Sequence, residues 1–350
     1  MSGPNPRVAA VTELYPPAHG GVQETTRLSC EYLAARGLEV RVYTSQLRHM
    51  DELKVGEWRT VRNFPSEDVR NGVQVRRFPS GGVFQAILGV LAALSRRLHL
   101  PFTPVLYCVC RTRAMRKAAL VRELTVFRPD VILAAPASNA ILSIVLEAAR
   151  RLPGARLFVH TALHINDPTL MDFKGLVRRL RRADLALVNT EYEKEYLISQ
   201  GLDPVRIAVK GPGVDVARFL SLSSDAADKE VVGRVRGKKY VIYFGRKQKG
   251  KGMESLVEAV ELLRRDHPEL YVVLAGQETK YSKRMLAEWS SKLFLINISN
   301  VNEATKRGLM EKAFAVSMVS RVDSFGVVYC ESWLTRRPVV GADKIGRAHV

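Results

Sequence analysis

Short runs of β-branched and apolar residues alternate with longer amphipathic runs along nearly the whole chain, and this alternation constrains the fold most. The strand-like runs are 7–12, 39–44, 73–78, 131–135, 157–160, 185–189 and 207–210. Helical patterns lie between them. One is 23–36, closed by Gly37. Another is 191–200, opened by the capping box Thr190-Glu191-Tyr192-Glu193 and closed by Gly201. The pattern predicts an α/β chain whose parallel sheet is covered by helices on both faces.

The polar, then basic, stretch 221–238 interrupts the alternation and reads as the passage from one domain to the next. The alternation then restarts. Strands are expected at 240–244, 271–275, 293–298, 314–320 and 338–341, and helices at 253–265, 283–290, 303–313 and 327–334. In the first of these helices Met253, Leu256, Val260 and Leu263 recur at helical spacing as one buried stripe. A length of 350 residues suits two domains. The expected division is 1–218 and 219–350, each doubly wound and Rossmann-like. Such sheets bind ligands at their strand C-termini, so a cleft between facing edges is expected.

Lys and Arg number 54 against 35 Asp and Glu, a formal net charge of +19. Small domains usually carry a magnitude of about 2–8, so anionic partners are favoured: nucleic acid, a phosphorylated substrate or an acidic membrane surface. The basic residues are spread along the chain, with no RNA-binding aromatic motif or zinc finger, which argues against nucleic acid. Four cysteines make no disulfide framework. Cys108 and Cys110 lie close together, but no second pair completes a tetrahedral metal site, so no metal is expected. The N-terminus lacks the apolar stretch of a signal peptide. The most apolar run, 83–94, falls short of the roughly 20 residues that span a bilayer. A cytoplasmic protein is expected.

Four constellations carry chemistry. Gly20-Gly21-Val22-Gln23 links the first strand to a helix, where glycines admit close backbone approach and the helix N-terminus offers unpaired N–H groups to an anion. Gly245-Arg246 and, after four intervening residues, Lys251-Gly252 bracket a second strand-to-helix loop with a guanidinium and an ammonium, a pair suited to a diphosphate. The plainer reading is a solvated basic loop, since Lys247 and Lys249 lie beside them. The third, 323–331, holds Asp323 at a turn and Glu331 eight residues on, inside an apolar helix; a carboxylate there needs hydrogen-bond donors. Sugar hydroxyls or a neighbouring backbone amide would supply them. The fourth is His160 at a strand end, with His164 beyond it, placed to donate to a hydroxyl or phosphate or simply to pack. Neither GxGxxG nor GxxxxGK[ST] is present.

Taken in order, these motifs resemble family 4 glycosyltransferases, retaining enzymes of the GT-B fold with two Rossmann-like domains. Residues 211–219, GPGVDVARF, are similar to that family's exit from the first domain. The similarity runs from about Arg7 to Ala342. It implies that Arg246 and Lys251 hold the nucleotide diphosphate and, with His160 near the reacting carbon, form the catalytic set. It implies that Glu331 binds the ribose hydroxyls and that Asp323, Ser324, Phe325, Gly326 and Val327 hold the donor. Gly21 would lie by the diphosphate or acceptor, and Gln23 would touch the acceptor. The usual first acid is Glu, and Asp323 is one methylene shorter; Ser320-Arg321-Val322 replaces the usual Pro-Ser before it. The family's C-terminal helix is lacking. The last seven residues, 344–350, match one translated frame of a common sequencing adapter, so the natural chain is expected to continue.

The resemblance implies sugar transfer from a nucleotide diphosphate sugar to an acceptor hydroxyl with retained configuration. Fixed cations, not a metal or cofactor, would stabilise the leaving group. The basic run 174–182 and the segment 83–97 suggest contact with anionic lipid, and hence a lipid-linked or cell-envelope glycan as acceptor. The plainer alternatives are a solvated helix face and a buried core helix. The other function classes are a nucleotide-sugar-binding pseudoenzyme and a nicotinamide-dependent oxidoreductase.

Overall fold

Alternating side chains along the first strand explain why its sheet is buried on both faces. In β1 (Arg7–Val11), Val8 and Ala10 pack with Cys30, Val40, Val42, Val73 and Val75, while Ala9 and Val11 face Ile132, Leu157 and Val159. In the computed structural model the described residues are 5–18, 20–48, 60–61, 63–81, 83–98, 100, 106, 108–109, 112, 115–163, 165, 173–299, 301–321, 323 and 325–342. Ser324 and His164 lie outside them, as do Cys110 and 344–350.

Residues 1–212 and 213–350 form two compact units. The first unit contains α1 (Gly21–Ala35), β2 (Glu39–Ser45), β3 (Thr60–Val61), β4 (Glu67–Arg70), β5 (Val73–Phe78), β6 (Ser80–Gly81) and α2 (Val83–Arg97). It continues through α3 (Lys117–Phe127), β7 (Val131–Ala134), α4 (Asn139–Arg151), β8 (Arg156–His160) and α5 (Phe173–Leu180). It ends with β9 (Leu185–Val188), α6 (Glu191–Ser199) and β10 (Ile207–Val209). Its sheet has the order β10-β9-β8-β7-β1-β2-β5-β4; every neighbouring pair is parallel except β4 with β5. That antiparallel edge strand is absent from the sequence-based expectation. Its signal is Asn71-Gly72, both at positive φ (47° and 81°), the requirement of a tight hairpin turn.

The second unit runs through α7 (Val216–Ser221), α8 (Lys229–Gly233), β11 (Lys239–Phe244), α9 (Met253–Leu263), β12 (Leu270–Ala275) and α10 (Lys280–Glu288). Then come β13 (Leu295–Ile298), α11 (Glu303–Lys312), β14 (Ala315–Met318), α12 (Val327–Leu334) and β15 (Val339–Gly341). Its five strands are all parallel, in the order β13-β12-β11-β14-β15. The stretch read as a passage between domains belongs wholly to this unit. Phe219 and Val235 are buried against Tyr240, Ile242 and Leu309, and Asp228 caps α8. Its polar composition serves helix caps and a solvated face, not a free linker. On α9 the buried stripe is Met253, Leu256, Val257 and Val260. Leu263 points outward, because 3.6-residue spacing carries it off that face.

Two of the expected surface segments behave differently. On α5, Leu176, Val177 and Leu180 are committed to the core, and Arg179 donates to Asn139 Oδ1. Among the described side chains of α2, Ala86, Leu88, Ala92 and Ser95 turn inward, whereas Val83, Ile87, Val90, Leu91 and Leu94 are exposed, as is Leu98 just beyond it. The buried-core reading of that segment therefore fails.

Candidate functional site

In the second sheet the connections run outward from β11 to β12 and β13, then the chain returns to lay β14 on the other side of β11. The crevice between the C-termini of β11 and β14 is thus a topological switch point, where open α/β sheets bind ligands. The loop after β11 carries Arg246 and Lys251. The segment after β14 carries Asp323, Phe325, Gly326 and Val327. The structure brings the two together. Lys251 Nζ lies 2.9 Å from Asp323 Oδ2, with both side chains less than one-fifth exposed. The shorter acid therefore reaches the lysine. Arg321 N donates to Gly250 O at 2.8 Å and closes the same contact through the backbone.

Two glycines make this approach feasible. Gly252 has φ +79°, and a Cβ there would sit 2.3 Å from Val319 O. Gly276 has φ +124°, and a Cβ there would sit 2.2 Å from Gly245 O. Both clashes are with main chain, which cannot rotate away. Gly252 and Gly326 also stand as N-caps of α9 and α12 with no side-chain cap, as Gly20 does for α1. The first-turn N–H groups of these helices are left for water or an anion. By contrast α6, α10 and α11 are capped by Thr190, Thr279 and Asn302.

Glu331 is buried in α12 at 9% exposure, and Lys306 is one of its partners. Lys306 Nζ donates to its Oε1 at 2.6 Å and to Glu303 Oε2 at 2.9 Å. Burial pushes the Lys306 ammonium down, but the two carboxylates outweigh it and hold its pKa above the usual range. Sequence reasoning missed Lys306: its spacing signals the pair with Glu303, three residues before it, but not the contact with Glu331.

Lys247 also departs from expectation. It is not solvated but fully buried, so the solvated-loop reading fails at this residue; Lys249 is exposed as that reading requires.

In the first unit the strand order reverses between β1 and β7. There Ser138 Oγ donates to Glu13 Oε1 at 3.0 Å, and Glu13 is buried. Gly21 opens α1, and a Cβ on it would meet nothing within 4 Å, so the space above it is open. Gln23 folds back over Gly20, its Oε1 at 2.0 Å from where a Cβ would be.

His160 ends β8 and is buried, its Nε2 2.7 Å from Asn189 Oδ1. The amide oxygen can only accept, so Nε2 carries the proton. Burial pushes the His160 pKa down, with the Asn189 bond opposing and the Lys210 charge adding to it. A neutral ring protonated at Nε2 keeps Nδ1 as an acceptor, which suits a hydroxyl better than a phosphate. Glu193 fixes this arrangement. It accepts from Thr161 Oγ1 at 2.5 Å, Leu163 N at 2.9 Å and Asn189 N at 2.8 Å. Thr190 caps α6 as expected, but the Glu193 carboxylate bonds to Asn189 and to the end of β8.

Comparison with solved structures places the two sheets in the GT-B fold class. Anabaena HepE in complex with UDP and glucose has a TM-score of 0.63 at 18% identity, covering 97% of this chain and 81% of its own. The E. coli trehalose-6-phosphate structure bound with UDP-2-fluoro glucose scores 0.69 at 13% identity, covering 98% of this chain and 86% of its own. Residues 20–213 match the glycosyl transferase 4-like domain and residues 224–350 match glycosyl transferases group 1. The chain belongs to this glycosyltransferase family.

Among curated relatives, D-inositol 3-phosphate glycosyltransferase of Jonesia denitrificans is 28% identical over 172 residues. That covers 45% of this chain and 40% of the relative. The Salinispora tropica protein of the same name is 32% identical over 177 residues, 46% of this chain and 37% of the relative. The matched stretch spans about 40% of these relatives' length.

Proposed function

We propose that the protein is a retaining glycosyltransferase that moves a sugar from a nucleotide diphosphate sugar to an acceptor hydroxyl. One observation carries this reading: the Lys251–Asp323 pair joins the two loops of the switch point, on the same loop as Arg246 and beside two uncapped helix N-termini. Here charge gathers on a leaving diphosphate. A cation about 4 Å from an anion contributes on the order of 4 kcal/mol at an effective dielectric of 20. Two cations offset much of the developing charge without a metal.

In the proposed reaction the bond from the anomeric carbon to the phosphate oxygen breaks and a bond to the acceptor oxygen forms on the same face. The acceptor proton passes to the leaving phosphate oxygen. Glu331 would take the ribose hydroxyls, exchanging part of its contact with Lys306. Phe325, Gly326 and Val327 would line the donor, with Ser324 beside them in sequence. Neutral His160 would accept from a donor sugar hydroxyl, and Gly21 and Gln23 would face the diphosphate and acceptor. The neighbours in complex with UDP and with UDP-glucose support a nucleotide-sugar donor. Family membership sets aside the nicotinamide-dependent reading. A thermal-shift panel of UDP, GDP, ADP and dTDP with their sugars tests the reading. At least one nucleotide should raise Tm, by about 2.7 kcal/mol of stabilisation at 100 times its Kd. No shift with any of them, or a shift with NAD alone, defeats it.

The acceptor reading rests on α2. Its exposed stripe of Val83, Ile87, Val90, Leu91 and Leu94, continued by Leu98 just beyond it, is an apolar face on a chain of net charge +19. No helix among the described residues is long and apolar enough to cross a membrane. Peripheral binding of α2 to an anionic cytoplasmic leaflet would present a lipid-linked or cell-envelope glycan to the first unit. The protein should float with anionic liposomes at low salt and do so less at high salt. Absence of binding at low salt ends the membrane reading.

A further inference from the structure

Lys247 is an anomaly that the proposed reaction leaves unused. Its side chain is fully buried, a costly place for an ammonium, whose effective desolvation penalty is on the order of several kcal/mol. What surrounds it reaches across three strand ends. The ammonium donates to Asn297 Oδ1 and, at 2.8 Å, to Ile298 O, both at the end of β13. Its own backbone is held by the segment after β12: Lys247 N donates to Gln277 O at 2.9 Å, and Thr279 Oγ1 donates to Lys247 O at 2.6 Å. Asn297 is fixed in turn, its Nδ2 donating to Glu278 Oε1 at 2.8 Å, where Ser299 Oγ also donates at 2.9 Å. On the other side, buried Tyr243 donates its hydroxyl to Arg246 O at 2.8 Å. The main chain on both sides of the Arg246–Lys247 peptide is therefore clamped.

We propose that Lys247 is a positioning residue for the donor diphosphate: its buried ammonium anchors the loop bearing Arg246 and Lys251 to the end of β13. This rests on the proposed function and adds to it a residue that the site motifs do not contain. A lysine kept only for stability would be a poor choice, since an apolar side chain of similar volume usually costs less when buried. The ammonium is held by neutral acceptors. The charged groups facing it are Glu278, which favours the protonated form, and Arg234, which opposes it. Burial dominates and pushes the Lys247 pKa down to about 8. The sign follows. Below pH 8 the ammonium is charged and draws the loop and its anion together. Above pH 8 the free protein loses that charge, and binding a diphosphate must restore it.

The test is UDP affinity by calorimetry from pH 7 to 9.5, or that of GDP or ADP if one of them binds instead, on the full chain, Lys247→Met and Arg246→Ala. Wild-type Kd should be flat near pH 7 and rise by up to about tenfold per pH unit above 8. Lys247→Met should melt at or above the wild-type Tm, bind about tenfold more weakly at pH 7 and lose the alkaline rise. If Lys247→Met does not fold, the wild-type pH series decides, and a flat Kd from 7 to 9.5 overturns the inference. If Arg246→Ala weakens binding but Lys247→Met binds like wild type, the inference fails and the proposed function stands. If the wild type binds no nucleoside diphosphate, both fall.

Discussion

Lys251→Ala should lower donor turnover by two to three orders of magnitude while the fold survives. The lysine sits on a loop whose backbone is held by other groups: Gly250 O by Arg321 N, Arg246 O by Tyr243, and Lys247 by three strand ends. Removing the Nζ therefore removes charge, not architecture. Loss of one preorganised group facing developing negative charge typically costs about 2.7–4 kcal/mol in the transition state, or 10²–10³ in kcat. The partner left behind, Asp323, is less than one-fifth exposed and loses a contact at 2.9 Å, which adds a smaller ground-state penalty. Release of nucleoside diphosphate from the donor sugar, with a melting curve run alongside, measures both parts. Turnover within a few-fold of wild type would remove Lys251 from the mechanism.

Glu193→Ala should be the most damaging single change in the first unit. Its carboxylate is the acceptor for Thr161 Oγ1, Leu163 N and Asn189 N, all buried or at strand ends. Each donor left without a partner costs roughly 1–3 kcal/mol, so a loss of about 3–5 kcal/mol is expected. That is a large part of the 5–15 kcal/mol typical of a whole domain. The same change frees Asn189, which holds the His160 ring, so activity should fall in whatever fraction stays folded. Urea unfolding reads the first effect. A midpoint unchanged from wild type would show that water replaces the carboxylate without loss.

The alternation of strands and helices was legible because each sheet is covered on both faces. Continuous apolar runs such as Val131–Ala134 have no other place to go. The glycine-flanked loops were legible because close backbone approach admits no side chain, as at Gly252 against Val319. The site was less visible where one residue depends on another far along the chain. Nothing local marks Lys306 as the partner of Glu331, 25 residues on, or Asn297 as the acceptor for Lys247, 50 residues on. Charge misled in the same way. A run such as Arg246-Lys247-Gln248-Lys249 reads as one solvated patch, yet Asn297 Oδ1 and Ile298 O draw Lys247 inward while Lys249 stays exposed. Composition misled at 221–238, where Asp228 is used as a helix cap and Val235 is buried.

The glycines at 252 and 276 bring no functional group to the chemistry, yet they are where backbone presses on backbone between neighbouring loops. A saturation map of this gene would score both among its least replaceable codons, indistinguishable from residues that grip the donor. Mutational intolerance in such a map therefore marks main-chain crossings as well as ligand contacts, and separating the two takes a binding measurement on variants that still fold.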